Sequence, residues 1–479
     1  LKTNRTFNPA GMYYDDNGNI HYYKNQIDDF QQDHYTLVFS QKLSRGWNLN
    51  ASLFYTKGFG YYENYKEDKS FEEYGLQNVI IGNDTLTETD LVNRKYLDND
   101  FYGITFSSNY QLKDNLKMVL GGGWNRYEGR HYGKVIWAQY ASDGDNERNW
   151  YHSTGDKKDF NIYLKGIYTL WGKLNLFGDL QYRHVGYDLA GTLDDLRSLD
   201  QSHQFDFFNP KAGLYYDINK QQHAWCSFGI ANREPSRNNY KDADPGRTPT
   251  YETLYDYELG YSYQAHPFRG SVNLYYMKYH NQLTLTGEIN NVGEAIMVNV
   301  PESYRTGIEV SAGVTLMKTL NWDVTAAFSR NKILDFTAYT DNYDADWNYL
   351  GQVATYLGET DISFSPELNI GSIIRYMPVK GLTLSFSSKY IGRQYIDNTS
   401  DKSRSLDPWF VNNLGIEYSM TTKFFREVGF QVTIGNIFNE EYESNGWVYP
   451  YILDGTTYES TGWFPQAPIN LMAGITLRL

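Results

Sequence analysis

The sequence holds a single cysteine, Cys226, so no disulfide can form within the chain, and no CxxC or Cys/His cluster offers a metal site. Its nine histidines are scattered, with no pair at ligand spacing, which speaks against a haem or metal cofactor. No run of eighteen apolar residues occurs, and this excludes a transmembrane helix. Positive charge is in deficit: 43 Lys and Arg stand against 57 Asp and Glu, and a net charge of −14 argues against nucleic acid as a partner. HExxH, GxSxG and a phosphate-cradling glycine loop are all missing, so no catalytic set can be assembled and an enzyme is not expected. Residues 1–5 are polar, and any targeting segment is expected outside this numbering. What the chain does have is aromatic surface, with 45 tyrosines and 17% aromatic residues overall.

Those residues are ordered. From Ser303 onward, Tyr304, Thr306, Ile308, Val310, Ala312, Val314 and Leu316 alternate with Ser303, Arg305, Gly307, Glu309, Ser311, Gly313 and Thr315. One face is apolar or aromatic and the other polar, charged or small, which is the mark of a β-strand with a different solvent on each face. After a turn at Lys318–Asn321 the pattern restarts as Trp322, Val324, Ala326 and Phe328 against Asp323, Thr325, Ala327 and Ser329. Strands of this length suit a tilted crossing of a bilayer. A charge on the lipid side costs roughly 2–4 kcal/mol near mid-membrane. Arg305, Glu309 and Asp323 are therefore expected to face a lumen, with Ile308, Val310, Ala312 and Val314 facing lipid. A soluble sandwich or propeller also alternates, so the spacing of the whole chain has to discriminate.

Seventeen strands are expected, at about 35–43, 47–57, 100–112, 116–128, 157–170, 174–188, 204–218, 222–232, 254–264, 269–280, 303–317, 321–334, 362–377, 381–396, 408–420, 428–442 and 468–479. Short turns and long connections strictly interleave, as in an up-and-down barrel with short periplasmic turns and long outer loops. The reading is an all-β, transmembrane antiparallel β-barrel over 35–479, with 1–34 as the remainder of an extracellular loop. An odd strand count in a single-chain bacterial barrel implies that at least one earlier strand lies outside this sequence.

Four stretches carry a family resemblance: Arg233–Tyr240 (REPSRNNY), Glu252–Tyr261 (ETLYDYELGY), Val300–Val310 (VPESYRTGIEV) and Ile434–Tyr442 (IGNIFNEEY). In this order and spacing they resemble the TonB-dependent outer-membrane receptors, particularly those of the Bacteroidetes. Leu479, the last residue, departs from the terminal Phe common in such barrels. The resemblance implies a barrel of about 22 strands with a plugged lumen, of which these would be the last seventeen. It also implies a cell outer membrane location in a Gram-negative bacterium, and coupling to TonB–ExbB–ExbD through an N-terminal plug segment not present here. The implied function is import of a scarce nutrient, foremost a ferric siderophore or related iron complex. Cobalamin, haem or glycan import within the family remain alternatives, as does a passive porin from another class. A surface lipoprotein is a further candidate partner.

Two connections carry candidate ligand-binding residues. Residues 233–251 place Arg233, Arg237, Lys241 and Arg247 beside Tyr240 and Tyr251, a basic and aromatic reversal in an acidic chain. Such a surface suits an anionic aromatic ligand. Alternatively, these charges pair with Glu234, Asp242 and Asp244. Between the last two strands lie Trp447, Tyr449, Tyr451, Tyr458 and Trp463, suited to stacking on a ligand, binding a partner or anchoring at an interface. Asp341, Asp344 and Asp346 could hold calcium, though a solvated acidic loop explains them better. Asp15–Asn19 brushes a calcium-loop pattern, but its Gly comes too early, and it reads instead as the turn of a small hairpin. Gly121–Gly123 falls mid-strand, where small residues admit close neighbours.

Overall fold

Alternating residues build long antiparallel hairpins in a computed structural model that describes all residues except 1–4, 6, 16, 142–148, 244–246 and 291–293. The chain divides into two compact units: one is Tyr168–Gly178 with Pro210–Leu479, the other Asp179–Asn209 with the chain up to Ile167. We call them the C-terminal and N-terminal units.

In the N-terminal unit, Asp28–Ser44, Trp47–Ser70, Glu88–Lys113 and Leu116–Ala138 pair in succession, each with its sequence neighbour. Asn149–Leu170, Leu174–Gly191 and Gln201–Phe208 continue the series. The C-terminal unit runs through Lys211–Asn219, Gln222–Arg233, Glu252–Ala265, Phe268–Ile289, Ala295–Met317 and Leu320–Tyr343. Its sheet goes on through Leu368–Tyr376, Leu382–Ile391, Trp409–Met420, Glu427–Gly435 and Asn470–Arg478.

Several expected boundaries are corrected. The first strand begins at Asp28, so residues 28–34, expected in a loop, pair with the next strand, with His34 opposite Thr56. The connection expected at 58–99 is mostly strand, its ladder running on to Ser70 opposite Glu88. Alternation was blind to this because, past the apolar band, both faces meet water while the backbone ladder continues. The strand expected at 204–218 is split at Asn209-Pro210, as proline has no N–H to donate. Residues 362–367 lie outside the sheet, and the strand expected at 428–442 stops at Gly435. The loops at 335–361 and 443–467 contain three further strands, Tyr349–Asp361, Glu443–Leu453 and Thr456–Pro465. The small N-terminal hairpin forms as expected, Met12–Tyr14 with Ile20–Tyr22.

Cross-strand register gives the sheet two chemically distinct faces. Leu274, Ile308 and Phe328 stand opposite one another and are exposed. One residue along, Asn273, Glu309, Ala327 and Asn369 align on the other face. Glycine serves that polar face where rings lie against the backbone. A Cβ on Gly307 would meet the Tyr275 hydroxyl at 2.6 Å, and one on Gly121 the Tyr163 hydroxyl at 2.4 Å.

Candidate functional site

On the polar face of the C-terminal unit, Arg305 and Glu309 line a cavity of about 340 Å³ with Glu258, Asn273 and Tyr275. Its roof is Phe364, Ser365 and Pro366, and Arg305 Nη1 donates to Ser365 Oγ at 2.8 Å. That roof is held from two sides. Phe364 N donates to Tyr395 O at 2.8 Å, while Ser363 Oγ and Asn398 Nδ2 both donate to Leu285 O, at 2.9 and 2.8 Å. Residues 396–398 thus reach from the strand Leu382–Ile391 to the strand Phe268–Ile289, passing the three strands between them in the sheet. Asp323 lies elsewhere on this face, bound by Arg269 and, at 2.8 Å, by Arg375.

A second arrangement forms at the end of Leu320–Tyr343 remote from its short turn. Here the ladder to Tyr349–Asp361 slips between Ile333 and Phe336. On the strand's other edge the hairpin Glu443–Pro465 docks by a short parallel pairing, with Asp341, Asn342 and Tyr343 opposite Tyr451, Ile452 and Leu453. The Tyr449 hydroxyl donates to Asp341 Oδ2 and lies 3.3 Å from the Tyr343 hydroxyl. Burial, reinforced by the Asp341 carboxylate and Tyr343, pushes the Tyr449 phenol well above its ordinary pKa. Tyr451 packs against Trp347 and Tyr458 at ring distances of 5.6 Å, and Tyr343 against Trp347 at 5.8 Å. Four residues back along the same strand, the Arg247 guanidinium lies 3.5 Å from the centroid of the exposed Tyr339 ring.

The other candidates have different roles. Arg233 pairs with Glu252 at 2.9 Å rather than with Glu234, and Lys241 lies 3.4 Å from Asp242; Asp244 is outside the described residues. Arg237–Lys241 forms a short helix capped by Ser236, whose side chain and that of Asn239 close a reciprocal capping box. Tyr240 is buried in that turn, at 5% exposure, and offers no ring to solvent. Trp447 lies flat over Gly462, and Trp463 packs on a core of Ile396, Leu406 and Val448. Arg404 ties this core region down, bonded to Asp397 at 3.1 Å and Glu459 at 2.7 Å. Burial would lower its pKa, but the two carboxylates outweigh that and hold it above its ordinary value. Asp341, Asp344 and Asp346, for which a solvated acidic loop was the better reading, do not converge. Asp344 caps its own turn through Asp346 N and Asn348 N, and Asp341 accepts from Tyr449 and Gln352. Among the described residues no group of His, Cys, Asp or Glu could hold a metal ion.

Of the residues singled out in the sequence, Arg247, Tyr449, Tyr451 and Tyr458 therefore meet in one region. Tyr339, Tyr343, Trp347 and Tyr349 join them and were not anticipated. Tyr339, Asp341 and Tyr343 follow a period of two, and that was the available signal.

The fold is that of transmembrane receptor β-barrels. It superposes on the ferric-catecholate import receptor Fiu of E. coli K12 with a TM-score of 0.64 and 13% identity, over 95% of this chain and 66% of that one. The siderophore receptor PiuA of Acinetobacter baumannii gives 0.66 and 12%, over 94% and 64%. The copper transporter OprC gives 0.67 and 13%, over 93% and 65%. The chain thus spans about two thirds of the length of these receptors. A search of curated protein sequences finds no match. Residues 1–439 match the family described as TonB dependent receptor-like, beta-barrel, and the chain belongs to that family. The family is located in the Gram-negative outer membrane.

Proposed function

We propose that the protein is a TonB-coupled outer-membrane importer of an iron–siderophore complex, most directly an anionic catecholate or similarly aromatic chelate. The observation that carries this reading is the Arg247 guanidinium stacked on the exposed Tyr339, four residues along the strand from Tyr343 and its Trp347–Tyr451 rings. A cation held against a π-face, with further rings alongside, matches a negatively charged, planar ligand. Fiu and PiuA, named as ferric-catecholate and siderophore receptors, make the same ligand class reasonable. In this reading Leu274, Ile308 and Phe328 face lipid, and Arg305, Glu309 and Asp323 face the lumen. The protein works with TonB–ExbB–ExbD through a plug segment that the barrel surrounds.

Growth under iron limitation tests the proposal. With a ferric catecholate as sole iron source, cells carrying the gene grow and a deletion strain lacking redundant importers does not. Equal growth of the two strains refutes the iron assignment. Loss of growth in the deletion strain that a tonB-deficient strain does not reproduce refutes the coupling.

A further inference from the structure

In the C-terminal unit, the docked hairpin and its neighbours form a group of strands with two outer edges. Tyr349–Asp361 pairs with Leu320–Tyr343, Glu443–Leu453 docks on the other side of that strand, and Thr456–Pro465 pairs with Glu443–Leu453. The two outer strands are guarded differently. Thr456–Pro465 reads TTYESTGWFP, with threonines, a serine, a glutamate and a closing proline. Tyr349–Asp361 begins YLGQVATYLG, and from Tyr349 to Gly358 it carries no charge and no proline. Among the described residues no register joins its second edge to another strand, and none of the backbone hydrogen bonds made outside the ladders involves 349–358. Tyr349, Leu350, Val353, Tyr356 and Leu357 are exposed, Tyr356 at 67%. Val353, Ala354, Thr355 and Tyr356 are exposed in succession, so both faces of the strand are bare. The ladder slips at each end, beside Tyr349 and at Phe336–Thr337, but from Gly351 to Tyr356 it is regular, opposite Asn342 through Thr337. Proteins ordinarily blunt such an edge with lysine, proline or a bulge, because its free N–H and C=O groups recruit another chain.

We propose that this edge takes up an extended, apolar segment of a partner protein with basic residues at its ends, which adds one strand to the sheet. The proposal goes beyond import, since it concerns a protein partner and not the imported ligand. Main-chain hydrogen bonds would supply the attachment, as in other cases of strand addition, and charge selects the occupant. Asp344 and Asp346 stand just before the edge, and Asp335, at its far end, accepts from the Tyr356 hydroxyl at 2.9 Å. Asp344 accepts only from its own turn, and none of these three carboxylates has a basic partner among the described residues. Glu359 and Asp361, by contrast, are matched by Arg330 and Lys332 at 2.7 and 2.6 Å. The surplus of acid around an uncharged edge therefore suits a strand that is apolar in its middle and basic at its ends. A second copy of this chain fits poorly. Antiparallel pairing about Val353 would set Trp347 opposite Glu359 and Asp346 opposite Thr360, so that acid would approach acid at both ends.

The test uses the full protein in dodecyl maltoside micelles and a labelled, end-blocked probe peptide, KKTVTVTVTKK. Its counterpart N-methylated at alternate residues keeps the side chains but cannot donate along one edge. Wild type should bind the unmodified peptide about tenfold more tightly or better, since each backbone bond left unmade costs roughly fivefold. Carbon-13 carbonyls in the bound peptide should show the infrared signature of a paired strand. Asp344→Asn/Asp346→Asn, which keeps an acceptor to cap the turn, should weaken binding about threefold or more, and high salt should erase the difference. Val353→Lys should abolish binding and Val353→Thr should keep it, with heat-modifiable migration in gels verifying that each variant is folded. No binding by wild type, equal affinity for the N-methylated peptide, or unchanged binding by Val353→Lys overturns the proposal. A dimer in light scattering that Val353→Lys dissolves also overturns it, by giving the edge to a second copy. Growth on a ferric catecholate is decided separately from all of these outcomes.

Discussion

Far from their short turns, the two units treat the same ladder differently. In the N-terminal unit the hairpins continue past local slips at Lys66–Lys69 and Val92–Asn93, and cross-strand partners satisfy one another. Tyr96 stacks on Tyr132 at 4.8 Å, and buried Glu63 binds Arg94 at 2.6 Å. In the C-terminal unit the ladder slips at Ile333–Phe336, residues 362–366 fold over the polar face, and a hairpin from more than a hundred residues away docks on the strand edge. A regular ladder keeps neighbours in sequence as neighbours in space and so builds wall. Only where it breaks can Arg247, Tyr339 and Tyr449 come into one region. The difference marks where function is expected, since irregular segments on a rigid scaffold are where binding residues concentrate.

The comparison breaks most visibly at Glu63, which accepts from Tyr23, Asn25 and Arg94. Glu63→Ala leaves Arg94 without its carboxylate and should destabilise this hairpin by about 3–5 kcal/mol, read as faster amide exchange over 60–70 and 88–95. The same residue supplies a pH signature. Burial raises its pKa, but hydrogen bonds from Tyr23, Arg94 and Asn25 outweigh that and leave it below the ordinary 4.5. Its stabilisation is therefore full above pH 4.5 and lost as pH falls from there through the lower folded value. Protease sensitivity of this hairpin should rise in that acid window in wild type and stay flat in Glu63→Gln.

A smaller effect is expected at the docked hairpin. Tyr449→Phe removes the hydroxyl from Asp341 and should cost about 1–3 kcal/mol locally. Amides of Glu443–Leu453 should exchange faster while those of the N-terminal unit are unchanged. Uniform loss of protection would mean that the two regions are not independent. Arg247→Gln should leave the fold within about 1 kcal/mol of wild type yet weaken catecholate binding roughly tenfold, measured by quenching of tryptophan fluorescence. Smallest of all, Lys57→Gln, which removes the ion pairs of Lys57 with Asp98 at 2.6 Å and Asp100 at 3.0 Å in the N-terminal unit, should change thermal stability by no more than about 1 kcal/mol. A larger loss in a melting experiment would make those pairs structural.

Composition and periodicity made the fold class legible. Missing apolar runs removed transmembrane helices from consideration, and the alternation at 303–329 assigned each residue to a face. That information is local, because a strand's period of two is written in consecutive residues and neighbouring faces follow from it. Strand ends past the apolar band were not legible, since a solvated ladder leaves no hydrophobic trace. Nor was the burial of Tyr240, which a capped turn hides although its neighbours are all polar. The four aromatic and acidic residues at 339–343 and 449, and their junction with Arg247, were decided by tertiary structure alone. Parallel edge pairing and a ring–guanidinium stack join residues about a hundred positions apart, and no spacing in the chain encodes which distant segment will reach an open strand edge.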